Sequence, residues 1–222
     1  MIKSLTDTLR RNQSFFIGYL FFFIALLAFC ILTNKTDGFL LINSFHNKML
    51  DDFFILVTNI GNGLFIFAVI AWMLIRRKNI WVWQTGISFL ASGIIVQIFK
   101  HAVYSPRPKA FFQSKASLHL IEGITCTGSN SFPSGHTTSI FALATLLSLY
   151  ASDKRWAILF LSIAILTGFS RIYLSQHFPL DVLVGSGVGV LVSVGIYCLL
   201  PYGLFEKKSI GSFWRTQSIK LH

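Results

Sequence analysis

Six long apolar runs, separated by short polar or basic segments, set the plan of this chain. Phe15 to Leu32 is an unbroken run of 18 residues after a polar start that carries Lys3, Arg10 and Arg11. Phe53 to Ile75 follows a polar connection, Thr33 to Asp52, and stops at Arg76, Arg77 and Lys78. Ile80 to Phe99 opens with Trp81 and Trp83, residue types that anchor helices at a membrane–water interface. After the long loop Lys100 to Pro133 come Thr137 to Ala151, ended by Ser152 to Arg155, then Trp156 to Phe169 and Pro179 to Leu200. A helix needs about 20 apolar residues to cross the hydrocarbon core of a bilayer. The pattern therefore predicts an all-α integral membrane protein with six transmembrane helices. The first run is long for a signal-peptide core, and no small-x-small cleavage site follows it. Phe29 is too bulky ahead of Cys30 for a lipoprotein box, so a retained helix is expected. There is no internal repeat or low-complexity segment. One domain, residues 1–222, is expected, with the chemistry in about 53–201.

Composition agrees with a membrane protein. Of the 222 residues 54% are hydrophobic and only 12% charged, against about 25% charged in an ordinary soluble domain. Mean hydropathy is +0.65. The net charge of +11 does not point to nucleic acid, because the basic residues are dispersed between apolar runs instead of gathered on one soluble face. Their distribution instead sets an orientation. With the N-terminus inside, the cytoplasmic segments hold 12 of the 19 Lys and Arg, and the outer loops hold 7. By the positive-inside rule both termini are expected in the cytoplasm. Cys30, Cys126 and Cys198 have neither metal spacing nor a disulfide pattern and read as packing thiols.

Topology exposes the chemistry. Charge inside or at the edge of a membrane segment costs roughly 3 kcal/mol or more on insertion scales. Six suspicious residues all fall at outer helix ends: Lys100 and Arg107 after the third run, His136 at the start of the fourth, Arg171 at the end of the fifth, His177 and Asp181 at the start of the sixth. Three cations, two imidazoles and one carboxylate at one membrane face describe an anion site. A single carboxylate does not suit a divalent cation, which takes several oxygen ligands, so no metal and no cofactor is expected. Pro133-Ser134-Gly135-His136 precedes a helix. Ser134 or a neighbour can cap it, and its first-turn N–H groups face outward toward an anion. The start of the sixth run does the same, with Pro179 at a first helical position. His177 and Asp181 are four apart and share a helical face, which is the arrangement of a base oriented by a carboxylate. For phosphoryl transfer, Lys100, Arg107 and Arg171 neutralise the phosphoryl oxygens, and His136 remains as general acid.

These residues are similar to the three-part signature of the type 2 phosphatidic acid phosphatase (PAP2) family, which shares its site with the vanadium haloperoxidases. Lys-x6-Arg-Pro reads as Lys100 through Arg107 and Pro108, Pro-Ser-Gly-His as Pro133 to His136, and Ser-Arg-x5-His-x3-Asp as Ser170, Arg171, His177 and Asp181. The signature spans residues 100–181. The likeness is weak in residues 1–50 and 109–132. The resemblance implies an acid phosphatase/haloperoxidase-like helical bundle and metal-independent dephosphorylation of a lipid phosphate or diphosphate. It implies that His177 forms a phosphohistidine, Asp181 orients it, and His136 protonates the leaving oxygen and later activates water. It further implies that Lys100, Arg107, Ser134, Gly135 and Arg171 hold the phosphate. The compact chain resembles bacterial inner-membrane members with the site facing the periplasm. Their substrates are undecaprenyl diphosphate, lipid A phosphates, phosphatidylglycerol phosphate and phosphatidic acid. The first two lead here. No obligatory protein partner is expected beyond the bilayer and its lipid.

Several positions stay open on the sequence alone. Lys109 and Lys115, in the outer loop 109–132, either contact a second phosphate or are solvated. Phe111 and Phe112 either dip into headgroups or pack the loop. Asn59 and Asn62 interrupt the second run, either facing the bundle interior or marking a close small-residue packing. Ser170 either touches the phosphate or packs beside Arg171, and Glu122 and Cys126 have no assigned role. The same site would serve a lipid-to-lipid phosphotransferase. A non-enzymatic scaffold or anion permease is disfavoured, because runs four to six are apolar below the cluster, whereas a permease carries polar residues through the bundle depth.

Overall fold

The structure, a computed structural model, describes residues 4–113, 118–121, 124 and 129–200. Helix follows helix: α1 (Leu5–Arg11), α2 (Gln13–Leu32), α3 (Lys35–Ser44), α4 (Lys48–Thr58), a 3-10 turn (Asn59–Gly61) and α5 (Gly63–Ile75). Then come α6 (Asn79–Ala102), the short α7 (Pro108–Phe112), α8 (Gly135–Tyr150), α9 (Arg155–Tyr173) and α10 (Pro179–Leu199). The starts are chemically marked. Ser4, Asn34, Asn47, Asn62 and Ser134 each accept a first-turn N–H at the beginning of α1, α3, α4, α5 and α8, and Pro occupies the first turn of α7 and α10.

Among the described residues α2, α6, α9 and α10 are each long and apolar enough to cross a membrane. The α4–α5 pair makes a fifth candidate, bent by 55° at the 3-10 turn. The second expected span is thus longer and broken, and the connection before it is helical, since α3 and the start of α4 occupy it. The fourth expected span, α8, has 16 residues, about 24 Å at 1.5 Å per residue. That is short for a lipid-facing helix, and α8 does not face lipid. It is the central helix, with 11 of its residues buried among α6, α9 and α10. α2 is its opposite: only Phe15 is buried, and Phe21, Ile31 and Leu32 stand outward and exposed, as on a surface solvated by hydrocarbon.

The helices do not meet through apolar side chains alone. In a bilayer small residues let backbones approach, and α10 uses this against α8. A Cβ at Gly185 would lie 2.7 Å from the Ser134 carbonyl oxygen, and one at Gly189 would lie 2.5 Å from that of Thr138. The polar interruption Asn59 to Asn62 acts the same way. Asn59 is exposed and turns its amide back to the Ile55 carbonyl, while Asn62 caps α5. Buried Gly61 presses on α8, where an added Cβ would stand 3.1 Å from the His136 carbonyl oxygen. Of the two readings of this patch, close packing is the one the fold adopts.

The interior below the site is less apolar than its runs suggested. Thr138, Thr145, Ser148, Ser186 and Ser193 are buried in α8 and α10. Thr138, Thr145 and Ser186 fold their hydroxyls onto carbonyls of their own helices, at 3.0, 2.7 and 2.7 Å. These three hydroxyls are satisfied locally, whereas those of Ser148 and Ser193 are buried without a hydrogen-bond partner among the described residues. Cys198 is buried in the same core beside the Thr8 hydroxyl, and Cys30 is half-buried. Cys126 lies outside the described residues.

Candidate active site

The ends of α6 and α9 and the starts of α8 and α10 meet at one end of the bundle, and backbone bonds stitch the three sequence segments together. Asn130 donates its amide to the carbonyls of Lys100 and Val103, both at 2.6 Å, closing the end of α6. Its side-chain oxygen accepts the N–H groups of Ser105 and Phe132, each at 3.1 Å. The Ser134 N–H donates to the Asp181 carbonyl at 3.0 Å, tying the start of α8 to the first turn of α10. Past α9 the chain reverses through Ser175 at φ 57°, and the Arg171 carbonyl accepts both the Gln176 and His177 N–H groups, at 3.0 and 3.1 Å. This turn is what folds His177 back over Arg171 before Pro179 restarts the helix.

His177 is buried, with 2% exposure. Its Nδ1 lies 3.4 Å from Asp181 Oδ2 and 3.3 Å from the Ser131 hydroxyl. Asp181 Oδ2 accepts the Phe178 N–H at 2.8 Å and the Ser131 hydroxyl in a short hydrogen bond. With Nδ1 turned to these oxygens, the free ring nitrogen is Nε2. Burial pushes the imidazole down to about 4, with the Asp181 hydrogen bond opposing and the Arg171 charge adding to the fall. Burial thus favours the neutral ring, which keeps a lone pair.

Around it stand the cations. Arg107, 7% exposed, donates from Nη1 to the carbonyl and side-chain oxygens of Gln176 at 3.4 and 3.3 Å. Arg171, equally buried, donates to the Thr58 hydroxyl at 2.6 Å and to the Gln176 side-chain oxygen at 3.5 Å. Lys100, in the last turn of α6, is half-buried. His136, in the first turn of α8, is half-buried at the same end of the bundle. The six residues picked out by topology thus converge, leaving a positive site with one carboxylate engaged behind the histidine. By its charge such an arrangement suits an anion.

Other positions are decided differently. Ser134 is fully buried, and its hydroxyl caps α8 by accepting from the Thr137 N–H and hydroxyl at 3.3 and 2.8 Å. Because its N–H is taken by Asp181, Ser134 offers an anion only its hydroxyl proton. Gly135 follows as the first residue of α8. Ser170 donates to the Thr167 carbonyl of its own helix at 2.6 Å, so it packs. Lys109 is exposed on α7. Phe111 and Phe112 pack the loop: Phe112 is buried against Phe39, and Phe111 stands edge-on to Phe178. Lys115 and Glu122 lie outside the described residues, as do residues 114–117, 122–123 and 125–128 of the loop in general.

Four contributors escaped the sequence reading: Thr58, Asn130, Ser131 and Gln176. Thr58 carried a signal, since it opens the polar break in an apolar run. Gln176 sits within the variable gap between Arg171 and His177, and Asn130 and Ser131 just ahead of Pro133, where spacing says nothing about contact.

The chain matches the model of the PAP2 superfamily over residues 81–204. It is 32% identical over 136 residues to the bacitracin transport permease protein BcrC of Bacillus licheniformis, covering 60% of this chain and 63% of that protein. It is 47% identical over 68 residues to the lipid A 1-phosphatase of Porphyromonas gingivalis, covering 30% of this chain and 15% of that protein. The match to the undecaprenyl-diphosphatase BcrC of Bacillus subtilis is 28% identical over 160 residues, 67% of this chain and 74% of that one. Thus the chain spans less than two thirds of the length of the first two relatives. Among solved structures it resembles Aquifex aeolicus LpxE, with a TM-score of 0.66 and 29% identity over 74% of this chain and 94% of that chain. A PAP2-type phosphatidylglycerolphosphate phosphatase of Bacillus subtilis shares the fold at a TM-score of 0.61, with 24% identity over 87% of this chain and 98% of the other. The match includes all three converging segments, so this chain belongs to the PAP2 superfamily.

Proposed function

We propose that this protein is a lipid phosphatase that removes a phosphate from a lipid phosphate or diphosphate through a phosphohistidine, without a metal ion. The observation that carries this reading is a buried His177 held by Asp181 among Lys100, Arg107 and Arg171. His177 Nε2 attacks phosphorus, an N–P bond forms, and the P–O bond to the lipid breaks. The electron pair leaves with the lipid oxygen, which takes a proton from His136. In the second half, His136 accepts a proton from water as that water attacks phosphorus, releasing inorganic phosphate and restoring His177. Lys100, Arg107 and Arg171, with Ser134 and the Gly135 end of α8, balance charge on the phosphoryl oxygens, where such preorganised donors act most strongly. Asp181 orients the ring and offsets the charge it acquires.

The reading places six spans in a bacterial inner membrane, with α4–α5 as one broken span and α8 as a short central one. Both termini face the cytoplasm and the site faces the periplasm, as the basic-residue bias supports. Lipid A phosphate and undecaprenyl diphosphate are the leading substrates. They are supported by the relatives named for those two substrates, ahead of phosphatidylglycerol phosphate and phosphatidic acid. The test is phosphate release by protein purified in detergent with EDTA, across a panel of these lipids. Activity that persists in EDTA and vanishes in His177→Ala is expected. Loss of all activity in EDTA, or full activity in His177→Ala, would overturn the mechanism.

A further inference from the structure

Ser131 lies outside the three signature segments, four residues before Gly135, yet it occupies the contact between nucleophile and carboxylate. It is fully buried. Its backbone is fixed, because its N–H donates to the Ser105 carbonyl at 2.7 Å, and its neighbours Asn130 and Phe132 are tied into the same turn. The distances from His177 Nδ1 to Asp181 Oδ2, 3.4 Å, and to the Ser131 oxygen, 3.3 Å, both lie just beyond the 2.7–3.2 Å of a good N–H···O bond, so the two oxygens share that nitrogen. The Ser131 oxygen fills the third corner, 3.3 Å from Nδ1, with its proton committed to Asp181 Oδ2. A hydroxyl has one proton and two lone pairs. Once Ser131 donates to Asp181, only its lone pairs remain for His177, so it can meet Nδ1 only if that nitrogen carries the proton.

We propose that Ser131 is a positioning residue for the nucleophile: it couples Asp181 to His177, selects the ring tautomer protonated on Nδ1, and so leaves the Nε2 lone pair for phosphorus. This rests on the reading of His177 as nucleophile. As the N–P bond forms, the ring gains positive charge, and the Nδ1–H donates more strongly into the Ser131 oxygen and through it toward the carboxylate. No proton has to leave Nδ1. Ser131 acts on the phosphate only through the ring, so its loss slows the chemistry and leaves phosphate binding to the cations.

The test compares wild type, Ser131→Ala, Ser131→Cys, Asp181→Asn and the double variant Ser131→Ala/Asp181→Asn. The substrate is a soluble phosphate monoester, p-nitrophenyl phosphate, in detergent. Ser131→Ala is expected to lower kcat by about 10- to 100-fold with KM within about twofold, the pattern of an interaction made in the transition state. If Ser131 works through Asp181, the double variant falls no further than Asp181→Asn within about threefold, since residues acting as a unit are not additive. An unchanged kcat in Ser131→Ala, a raised KM with unchanged kcat, or losses that multiply in the double variant would each overturn the proposal. Should Ser131→Ala not give monodisperse protein, Ser131→Cys decides. It keeps the side chain but hydrogen-bonds weakly, so a reduced kcat is expected and a wild-type kcat rejects the role. The nucleophile itself is read separately. Labelled phosphate trapped on the chain in His177→Ala would reject the phosphohistidine reading whatever the Ser131 variants do.

Discussion

The backbones of α8 and α10 approach so closely at Gly189 that one methyl group forces them apart. A Cβ on Gly189 would sit 2.5 Å from the Thr138 carbonyl oxygen and 2.9 Å from the Ala142 nitrogen. Both are backbone atoms in the middle of a helix, so no side chain can swing away and the helices must separate. Gly195, two turns further along α10, has nothing within 4 Å of its added Cβ. Gly→Ala in a helix interior gains roughly 1 kcal/mol of helix propensity at either position. Forcing extra volume into a packed core costs about 1–3 kcal/mol. With the propensity gain common to both, Gly189→Ala should be about 1–3 kcal/mol less stable than Gly195→Ala. The assay is thermal unfolding of the purified protein in detergent, where this corresponds to a Tm several degrees lower for Gly189→Ala. Gly185→Ala carries the same strain to the site, because its Cβ would lie 2.7 Å from the carbonyl of Ser134, next to the bond from the Ser134 N–H to Asp181. A displacement of about 1 Å between reacting groups can cost about 100-fold in rate, so Gly185→Ala should lose activity out of proportion to its Tm. Equal Tm values for Gly189→Ala and Gly195→Ala would refute the close approach. Full activity in Gly185→Ala would refute its role in aligning His136 with His177.

Two further outcomes are expected. The His177 ring is held near 4, below its ordinary 6.5, so between these values the unfolded chain binds the proton more readily than the folded one. This contribution to stability is complete above about pH 6.5 and is lost as pH falls toward 4. Tm of wild type should therefore decline over that window more steeply than Tm of His177→Ala, measured in one detergent, and parallel curves would reject the neutral buried ring. Gln176 offers one neutral oxygen to both Arg107 and Arg171, at 3.3 and 3.5 Å. Gln176→Glu puts a charge there that competes with the substrate for both guanidiniums, and hydrogen bonds to charged groups are worth about 1.5–3 kcal/mol. Competitive inhibition by inorganic phosphate should weaken by at least about tenfold; an unchanged inhibition constant would show that Gln176 does not govern the arginines.

The charged and titratable residues at these helix ends were legible in the sequence because charge is expensive beside hydrocarbon, and the structure gathers six of them at one end of the bundle. His136, Arg171 and His177 were found this way and stand together. Ser131, Asn130 and Gln176 were not legible, because neutral side chains carry no such cost and occur freely in loops. What recruits them is geometry alone: the left-handed turn at Ser175 that brings Gln176 to the arginines, and the loop that lays Ser131 against Asp181. Ser170 shows the converse, a residue inside a signature segment whose hydroxyl is spent on its own helix.

The apolar runs alone determined that this chain is a helical membrane protein. A backbone in lipid must satisfy its own hydrogen bonds, and long uninterrupted runs leave the helix as the solution. They did not determine which helix is central. Tertiary packing decided that, placing the 16-residue α8 inside the longer helices and breaking α4 from α5 so that Thr58 and Gly61 reach the site. The spacing placed His177 and Asp181 on one helical turn, whereas in the structure His177 precedes the Phe178 cap of α10 and meets Asp181 at 3.4 Å, with Ser131, 46 residues earlier, as the third member of the contact. Hydropathy and spacing act along the chain; the third corner of that contact exists only where distant segments pack.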